Sequence, residues 1–373
     1  MNILFVIPTL GTGGAEHVAT ILANCLVINH KIDFLVMEES SVERYPINPH
    51  VHVHEIGVAV TRGNKVRAIL TFGLNFIKQR KALLHWINMI KPDVVISFLP
   101  KADILVSSIK KSGQFKWISS ERNDPMSRSS IERRVLNILY KKTDMLVCQT
   151  KKVAKYYKEQ RVRKVCVIRN PVIIENQINL DFRLPYQYLI SVGRLAKQKN
   201  YEMLIDAFSD VKRKTRCPEK LLILGDGPER EKLQALIEKL DITKDVLLVG
   251  RKKNVMDYLR NAEAFVMSSN YEGLPNALIE AMAARLPVVS TDFFTGAAAE
   301  LIDDKNGYLV PVGDKEKMKE TIEKIVSLPS NVKITMGHES AKKIKDMDVN
   351  IICNSWNKLL NTIYAEELHE FTN

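Results

Sequence analysis

A chain of 373 residues, 46% apolar and 26% charged, is long enough for two globular cores and too ordinary in composition to be disordered or fibrous. The formal net charge is +12, and residues 1–184 hold all of the surplus, with 28 Lys and Arg against 15 Asp and Glu, while the rest nets −1; a polyanionic partner is expected for the first half. Five scattered cysteines without Cys-x-x-Cys or Cys/His spacing argue against a disulfide framework or a zinc site and fit a reducing cytoplasm, and no window approaches the roughly 18 apolar residues that would span a bilayer.

In chain order, "NILFVIP" reads as a strand rather than a signal peptide, and it runs into a glycine-rich turn. Residues 15–28 have helical spacing. "KIDFLVMEE" and "VHVHEIG" are the next strands, and residues 65–90 form a long helix. "PDVVISFLP", "KWISSE", "MLVCQT" and "VCVIRNPV" follow as strands separated by helical segments. Continuous β-branched runs of this kind predict parallel strands covered on both faces. The polar stretch "IIENQINLDFRLPY" is read as a linker. The pattern then restarts with "QYLISVGRL", "KLLILGDG", "DVLLVG", "AFVMSS" and "PVVST", again alternating with helices, and the tail from residue 315 is helical. The expected architecture is α/β, with two Rossmann-like doubly wound domains facing across a cleft. Residues 1–178 form the first domain, 186–349 the second, and a C-terminal helix over 350–373 crosses back toward the first. Ligands are expected at the carboxyl ends of the strands.

Four constellations fall at such ends. In "SSNYEGLPNALIE", Glu272 precedes a helix start and Glu280 lies about one turn inside it. Pro275 suits the first helical position, which would leave the amides of Asn276, Ala277 and Leu278 pointing at an anion. Two acceptor-only carboxylates flanking that point can each grip a pair of sugar hydroxyls. The structural alternative is a helix cap with two solvated glutamates. In "SVGRLAKQKN", Arg194 and Lys199 follow Gly193 and could hold a diphosphate, or could be solvated surface cations. In "PTLGTGGAE", Gly13 and Gly14 leave amides open to a phosphate or sugar, or simply turn the chain; Glu16 stands where a dinucleotide fingerprint wants its third glycine. Glu38 and Glu39 after the second strand keep a nicotinamide reading open. In "SSERNDP", Glu121, Arg122, Asn123 and Asp124 face a cleft or form a helix-capping loop.

Basic residues are also dispersed along the first half. Arg62, Lys65, Arg67, Lys78, Arg80 and Lys81 flank or lie on the long helix, interleaved with Phe72, Phe76 and Trp86. Arg133, Arg134, Lys141, Lys142, Lys151, Lys152, Lys155 and Lys158 follow. An anionic membrane surface is the expected partner, or the faces are merely solvated. No nucleic-acid module is recognisable. The single acidic pair of metal-binding spacing, Asp346 and Asp348, lies in the helical tail and is read as chance.

The order of "GTGGAE", "VGRLAKQKN", "LGDGPERE" and "EGLPNALIEAMAARLPVVST" resembles the retaining glycosyltransferases of family 4, which have the GT-B fold, over nearly the whole chain. The resemblance implies that Arg194 and Lys199 bind the donor diphosphate, that Glu280 holds the ribose and that Glu272 holds the transferred sugar. It places the distal phosphate against Asn276, Ala277 and Leu278, the base near Arg251 and Lys252, and Gly13, Gly14 and Gly193 along the cleft. It further implies a UDP-sugar donor, no metal or other cofactor, and a hexose or N-acetylhexosamine moved to a lipid-diphosphate-linked glycan for cell-surface polysaccharide. The location implied is the inner face of the cytoplasmic membrane. Two departures stand out: Arg122 occupies a place where relatives often carry a histidine, with Asn123 beside it, and "TDFFTGAAAEL" lacks the Gly-Pro that often precedes the glutamate equivalent to Glu300. A UDP-sugar epimerase of the same fold and an NAD-dependent oxidoreductase are the alternatives.

Overall fold

The computed structural model of the protein describes residues 1–11, 13–38, 44–58, 65–110, 115–173 and 182–371. Glu39, Arg62 and residues 174–181 of the expected linker lie outside the described residues, as do the side chains of Lys65, Arg67 and Phe72. The chain divides into two units: Met1–Pro171 together with Val349–Asn373, and Val172–Asp348.

The first unit is built on seven parallel strands in the order β3-β2-β1-β4-β5-β6-β7. These are β1 (Asn2–Ile7), β2 (Lys31–Glu38), β3 (His52–Val58), β4 (Val94–Phe98), β5 (Lys116–Ser120), β6 (Met145–Cys148) and β7 (Val165–Val167). The apolar run of β1 is buried along Ile3 to Ile7 because both faces are covered. Alternation sorts its side chains. Ile3, Phe5 and Ile7 meet one helical layer, whose members include α1 (Gly14–Leu26) and the final helix α13 (Val349–Phe371). Leu4 and Val6 meet the other, which includes α2 (Lys65–Ile90) and α3 (Pro100–Ser107). In α13, Ile352, Trp356, Leu360 and Ile363 recur at helical spacing and are buried with Leu22 and Leu26 of α1.

Here one expectation fails. Cys25 of α1 and Cys353 of α13, 328 residues apart in sequence, are joined as a disulfide. Spacing rules detect cysteines that are close along the chain, and this pair is made by the return of the last helix. Cys148, Cys166 and Cys217 are free.

The second unit repeats the plan with six parallel strands in the order β10-β9-β8-β11-β12-β13. They are β8 (Tyr188–Val192), β9 (Lys220–Leu224), β10 (Val246–Gly250), β11 (Ala264–Met267), β12 (Val288–Thr291) and β13 (Gly307–Val310). Two buried clusters again lie on opposite faces: Ile190, Phe265 and Val288 with α9 (Asn276–Ala283), and Leu189, Val266 and Val289 with α6 (Tyr201–Thr215) and α11 (Lys315–Val326). The edge strand β13 had no counterpart in the sequence reading. In both sheets the strand order reverses beside the first strand, β1 or β8, which places binding loops at the carboxyl ends there.

Candidate active site

In the second unit, three loops leave the strand ends and lock together through their backbones. Gly225 has φ +135°, and a Cβ there would lie 2.0 Å from the Gly193 carbonyl oxygen. A Cβ on Gly227 would lie 2.4 Å from that of Leu195. Only glycine permits such approach. The amide of Gly193 donates to the Leu224 carbonyl at 2.9 Å, that of Leu195 to Asp226 at 3.1 Å, and that of Gly225 to Gly250 at 2.9 Å. Gly193 has a second duty: the alkyl stem of Lys199 crosses it, with Cε 2.9 Å from where a Cβ would stand.

The Lys199 turn is clipped to the loop after β11. The Asn270 amide donates to the Gln198 carbonyl at 2.8 Å, and the Asn270 side chain donates to the Lys197 carbonyl at 3.0 Å. Ser268 Oγ donates to the Lys199 carbonyl at 2.8 Å, and Gln198 Nε2 to the Tyr271 carbonyl at 2.9 Å. Behind that loop, Thr291 Oγ1 donates to the Ser269 carbonyl at 2.6 Å and Thr295 Oγ1 to the Gly273 carbonyl at 2.9 Å. Residues 73 positions apart are thereby fixed face to face: Lys199 Nζ donates to Glu272 Oε1 at 2.6 Å, and Ser269 Oγ donates to the same oxygen at 2.8 Å. Burial raises the pKa of the Glu280 carboxyl, and the charge of Lys199 pulls it the other way.

Other expected site residues stand differently. Pro275 is the N-cap of α9 rather than its first residue, with extended φ −73°, ψ 116°. Its carbonyl accepts from Leu278 at 3.2 Å and from Ile279 at 3.3 Å. The amide of Leu278 is thus consumed inside the helix, and of the three amides expected to face an anion only those of Asn276 and Ala277 precede these bonds. Arg194 is exposed and makes no ion pair with Glu272 or Glu280. Arg251 and Lys252 are exposed beyond β10. Ser268, Ser269, Asn270, Gln198, Thr291 and Thr295 escaped the sequence reading, since their roles are contacts across the chain; the pair Gly225 and Gly227 in "GDG" was the one local signal available.

The remaining expected residues belong to the first unit. At α1, Gly13 is the N-cap, and the Glu16 carboxylate folds back so that a Cβ on Gly13 would clash with it. Thr9 Oγ1 donates to Glu16 Oε1 at 2.8 Å. The anion nearest Gly13 is the chain's own Glu16, which sits where a ligand phosphate was expected beside Gly13 and Gly14. In "SSERNDP", Asp124 accepts from the Met126 amide at 2.7 Å and caps the turn Pro125–Ser127, so the capping alternative holds for it. Glu121 is buried and fully engaged: Arg128 grips both oxygens at 2.6 and 2.7 Å, Tyr157 donates at 2.6 Å, and the Asn123 amide donates at 3.0 Å. Burial alone would raise this carboxyl, but Arg128 and the other donors hold it below the usual range. Asn123 is exposed, and Arg122 is buried with Nη1 donating to Asn170 at 2.6 Å.

Comparison with known proteins settles the family. Residues 12–176 match the model described as Glycosyltransferase Family 4, and residues 173–345 match Glycosyl transferases group 1. The chain belongs to the family 4 glycosyltransferases. It is 31% identical over 250 residues to the lipopolysaccharide core biosynthesis glycosyltransferase LpsE of Rhizobium meliloti, covering 65% of this chain and 68% of that protein. It is 28% identical over 368 residues, 96% of this chain and 98% of the other, to the GalNAc-alpha-(1->4)-GalNAc-alpha-(1->3)-diNAcBac-PP-undecaprenol alpha-1,4-N-acetyl-D-galactosaminyltransferase of Campylobacter jejuni. Among solved structures, Anabaena HepE in complex with UDP-glucose superposes with a TM-score of 0.77 at 16% identity, over 96% of this chain and 99% of that one. This glycosyltransferase therefore has the GT-B fold expected from its motifs, and no described helix is long and apolar enough to cross a membrane.

Proposed function

We propose that this glycosyltransferase moves a hexose or N-acetylhexosamine from a UDP-sugar to a hydroxyl of a lipid-diphosphate-linked glycan, with retention of configuration and without a metal. The observation that carries the reading is the ion pair of Lys199 with Glu272 at the strand ends of the second unit, with Glu280 inside the adjoining helix α9. Such a cation is placed to take up the charge of a departing diphosphate, while the glutamates accept hydrogen bonds from hydroxyls of the ribose and the transferred ring. The amides opening α9 add positive potential of the same sign. In the step itself the acceptor oxygen forms a bond to the anomeric carbon on the face that UDP leaves. The bond from that carbon to the β-phosphate oxygen breaks, and the departing phosphate oxygen receives the acceptor's proton. Before donor binding, Glu272 neutralises Lys199; Arg194, exposed and near in sequence, adds the second cation. The acceptor class is supported by the undecaprenol-diphosphate glycan in the name of the Campylobacter relative and the donor class by the UDP-glucose complex of HepE.

Contact with an anionic membrane at the inner face of the cytoplasmic membrane is supported by α4 (Ser130–Tyr140). Its outward face exposes Ile131, Val135 and Ile138 at 77%, 43% and 55%. The exposed cations Arg134, Lys141 and Lys142 adjoin this stripe. The test is UDP release from a panel of UDP-sugars, with the lipid-diphosphate acceptor presented either in anionic vesicles or in detergent. Expected is acceptor-dependent release with one sugar, an α-linked product from an α-linked donor, and slowing by Ile131→Asp for vesicles alone. Release indifferent to acceptor across the whole panel would refute transfer, and an inverted product would refute retention.

A further inference from the structure

The first unit carries a second polar group at its strand ends, and unlike the Glu121 network it is not closed on itself. Side chains alternate as β5 ends. Glu121, whose amide still donates to the Val147 carbonyl at 2.9 Å, turns toward Arg128, Tyr140 and Tyr157. Ser120 and Arg122 flank it and by alternation face the other way. Arg122 is only 7% exposed, yet one of its three nitrogens alone is bonded: Nη1 donates to Asn170 Oδ1 at 2.6 Å. Among the described residues Nε and Nη2 have no hydrogen-bond partner, nor does the buried Ser120 Oγ. The guanidinium lies 5.5 Å from the centroid of the Phe98 ring, and no carboxylate among the described residues forms an ion pair with it. Burial drags its pKa down to about 9, with Glu121 pulling the other way from a carboxylate already filled by Arg128.

A buried guanidinium with two idle donors is a standing cost to the fold, whereas a bound oxyanion would fill them in the planar fork geometry that arginine presents. We infer that Ser120 and Arg122 form an oxyanion site in the first unit that takes a phosphate or carboxylate group, with Ser120 Oγ as a further donor. Asn123, next in the chain, is exposed, so solvent lies one residue from the guanidinium. Two sources supply that chemistry: the diphosphate of a lipid-linked acceptor, or the carboxylate of an acidic sugar. The inference stands on this unit's geometry and is independent of the donor assignments in the other.

The experiment is calorimetric titration of the full chain, saturated with UDP, using inorganic pyrophosphate in one arm and glucuronate in the other, beside thermal melting. Wild type is expected to bind one anion. Arg122→Met should weaken that binding about tenfold or more, since charge-assisted contacts are lost, and Ser120→Ala by a few-fold. Arg122→Met should also melt higher than wild type in the absence of anion, because an uncompensated charge has been replaced by an apolar side chain of similar length. A purely structural arginine would give the opposite sign of melting shift. A pyrophosphate response points to the acceptor diphosphate, and a glucuronate response to an acidic sugar. The site is overturned if wild type binds neither anion, or if Arg122→Met binds as wild type does. Failure of UDP to bind would strike the donor reading while leaving the comparison of wild type with Arg122→Met intact.

Discussion

The two sheets share one strand order, yet the polar groups at their carboxyl ends are disposed in opposite ways. In the first unit they are turned inward. Asp103 Oδ1 accepts from Ser97 and Ser119 at 2.6 and 2.8 Å, and Trp117 Nε1 donates to Ser97 at 2.8 Å. The Tyr140 hydroxyl lies 3.0 Å from Asp103 and 3.2 Å from Glu121. A hydroxyl has one proton to share between these two carboxyls, and burial pushes the Asp103 carboxyl up to about 7. In the second unit the equivalent loops hold one another mainly through main-chain contacts, and at their centre Lys199 pairs with Glu272. A common scaffold can thus brace its strand ends through buried side chains or through the backbones of its loops.

Three substitutions break or sharpen that contrast. The largest effect is expected from Glu121→Ala, which strands Arg128 in the interior. Removing one partner of a buried pair costs about 3–5 kcal/mol, read as loss of the first unit's transition in chemical denaturation. Wild-type stability in that variant would mean the first unit's network is not bracing. Next, Lys199→Ala should lower kcat by roughly ten- to a hundredfold, as loss of one charge-assisted contact of about 1.5–3 kcal/mol implies. Turnover near normal would remove Lys199 from the chemistry. The third is a pH effect. The folded Asp103 carboxyl titrates near 7 and the unfolded one near its ordinary value of 3.8, so the folded state binds the extra proton between them. Stability should therefore fall as pH rises from about 4 to 7, at most by about 1.4 kcal/mol per pH unit from this group, and level off above. Asp103→Asn should flatten that slope, and an unchanged slope would place the proton elsewhere.

Most of the architecture was legible because each buried parallel strand is a continuous apolar run, "NILFVI" and "YLISV" among them. The edge strand β13 was not, because "GYLV" is four residues long and half of it is only partly buried. Glu272, Lys199 and Glu280 were readable as candidates from type and position. Their mutual geometry was not, because Lys199 and Glu272 meet through loops joined by Asn270 and Gln198. Pro275 was placed one position too far into its helix, since proline's fixed φ suits both the N-cap and the first turn. For Glu121 the sequence left a cleft-facing role and a capping loop both open, and only the three-dimensional return of Arg128 and Tyr157 shows that it is occupied. The bond between Cys25 and Cys353 was hidden for the same reason.

The burial of Trp356 and its neighbours beside α1 bears on how the protein is made. Synthesis runs from the first residue to the last, at about 5–20 residues per second. Residues 172–348 form an uninterrupted stretch that can assemble as it emerges. The earlier-made segment must wait on the order of ten to forty seconds more, keeping the apolar side of α1 uncovered until the chain's last helix arrives. Nascent protein of this design is expected to need a chaperone at that side during the delay, and a ribosome stalled shortly before residue 349 would release a chain with one finished body and one open one.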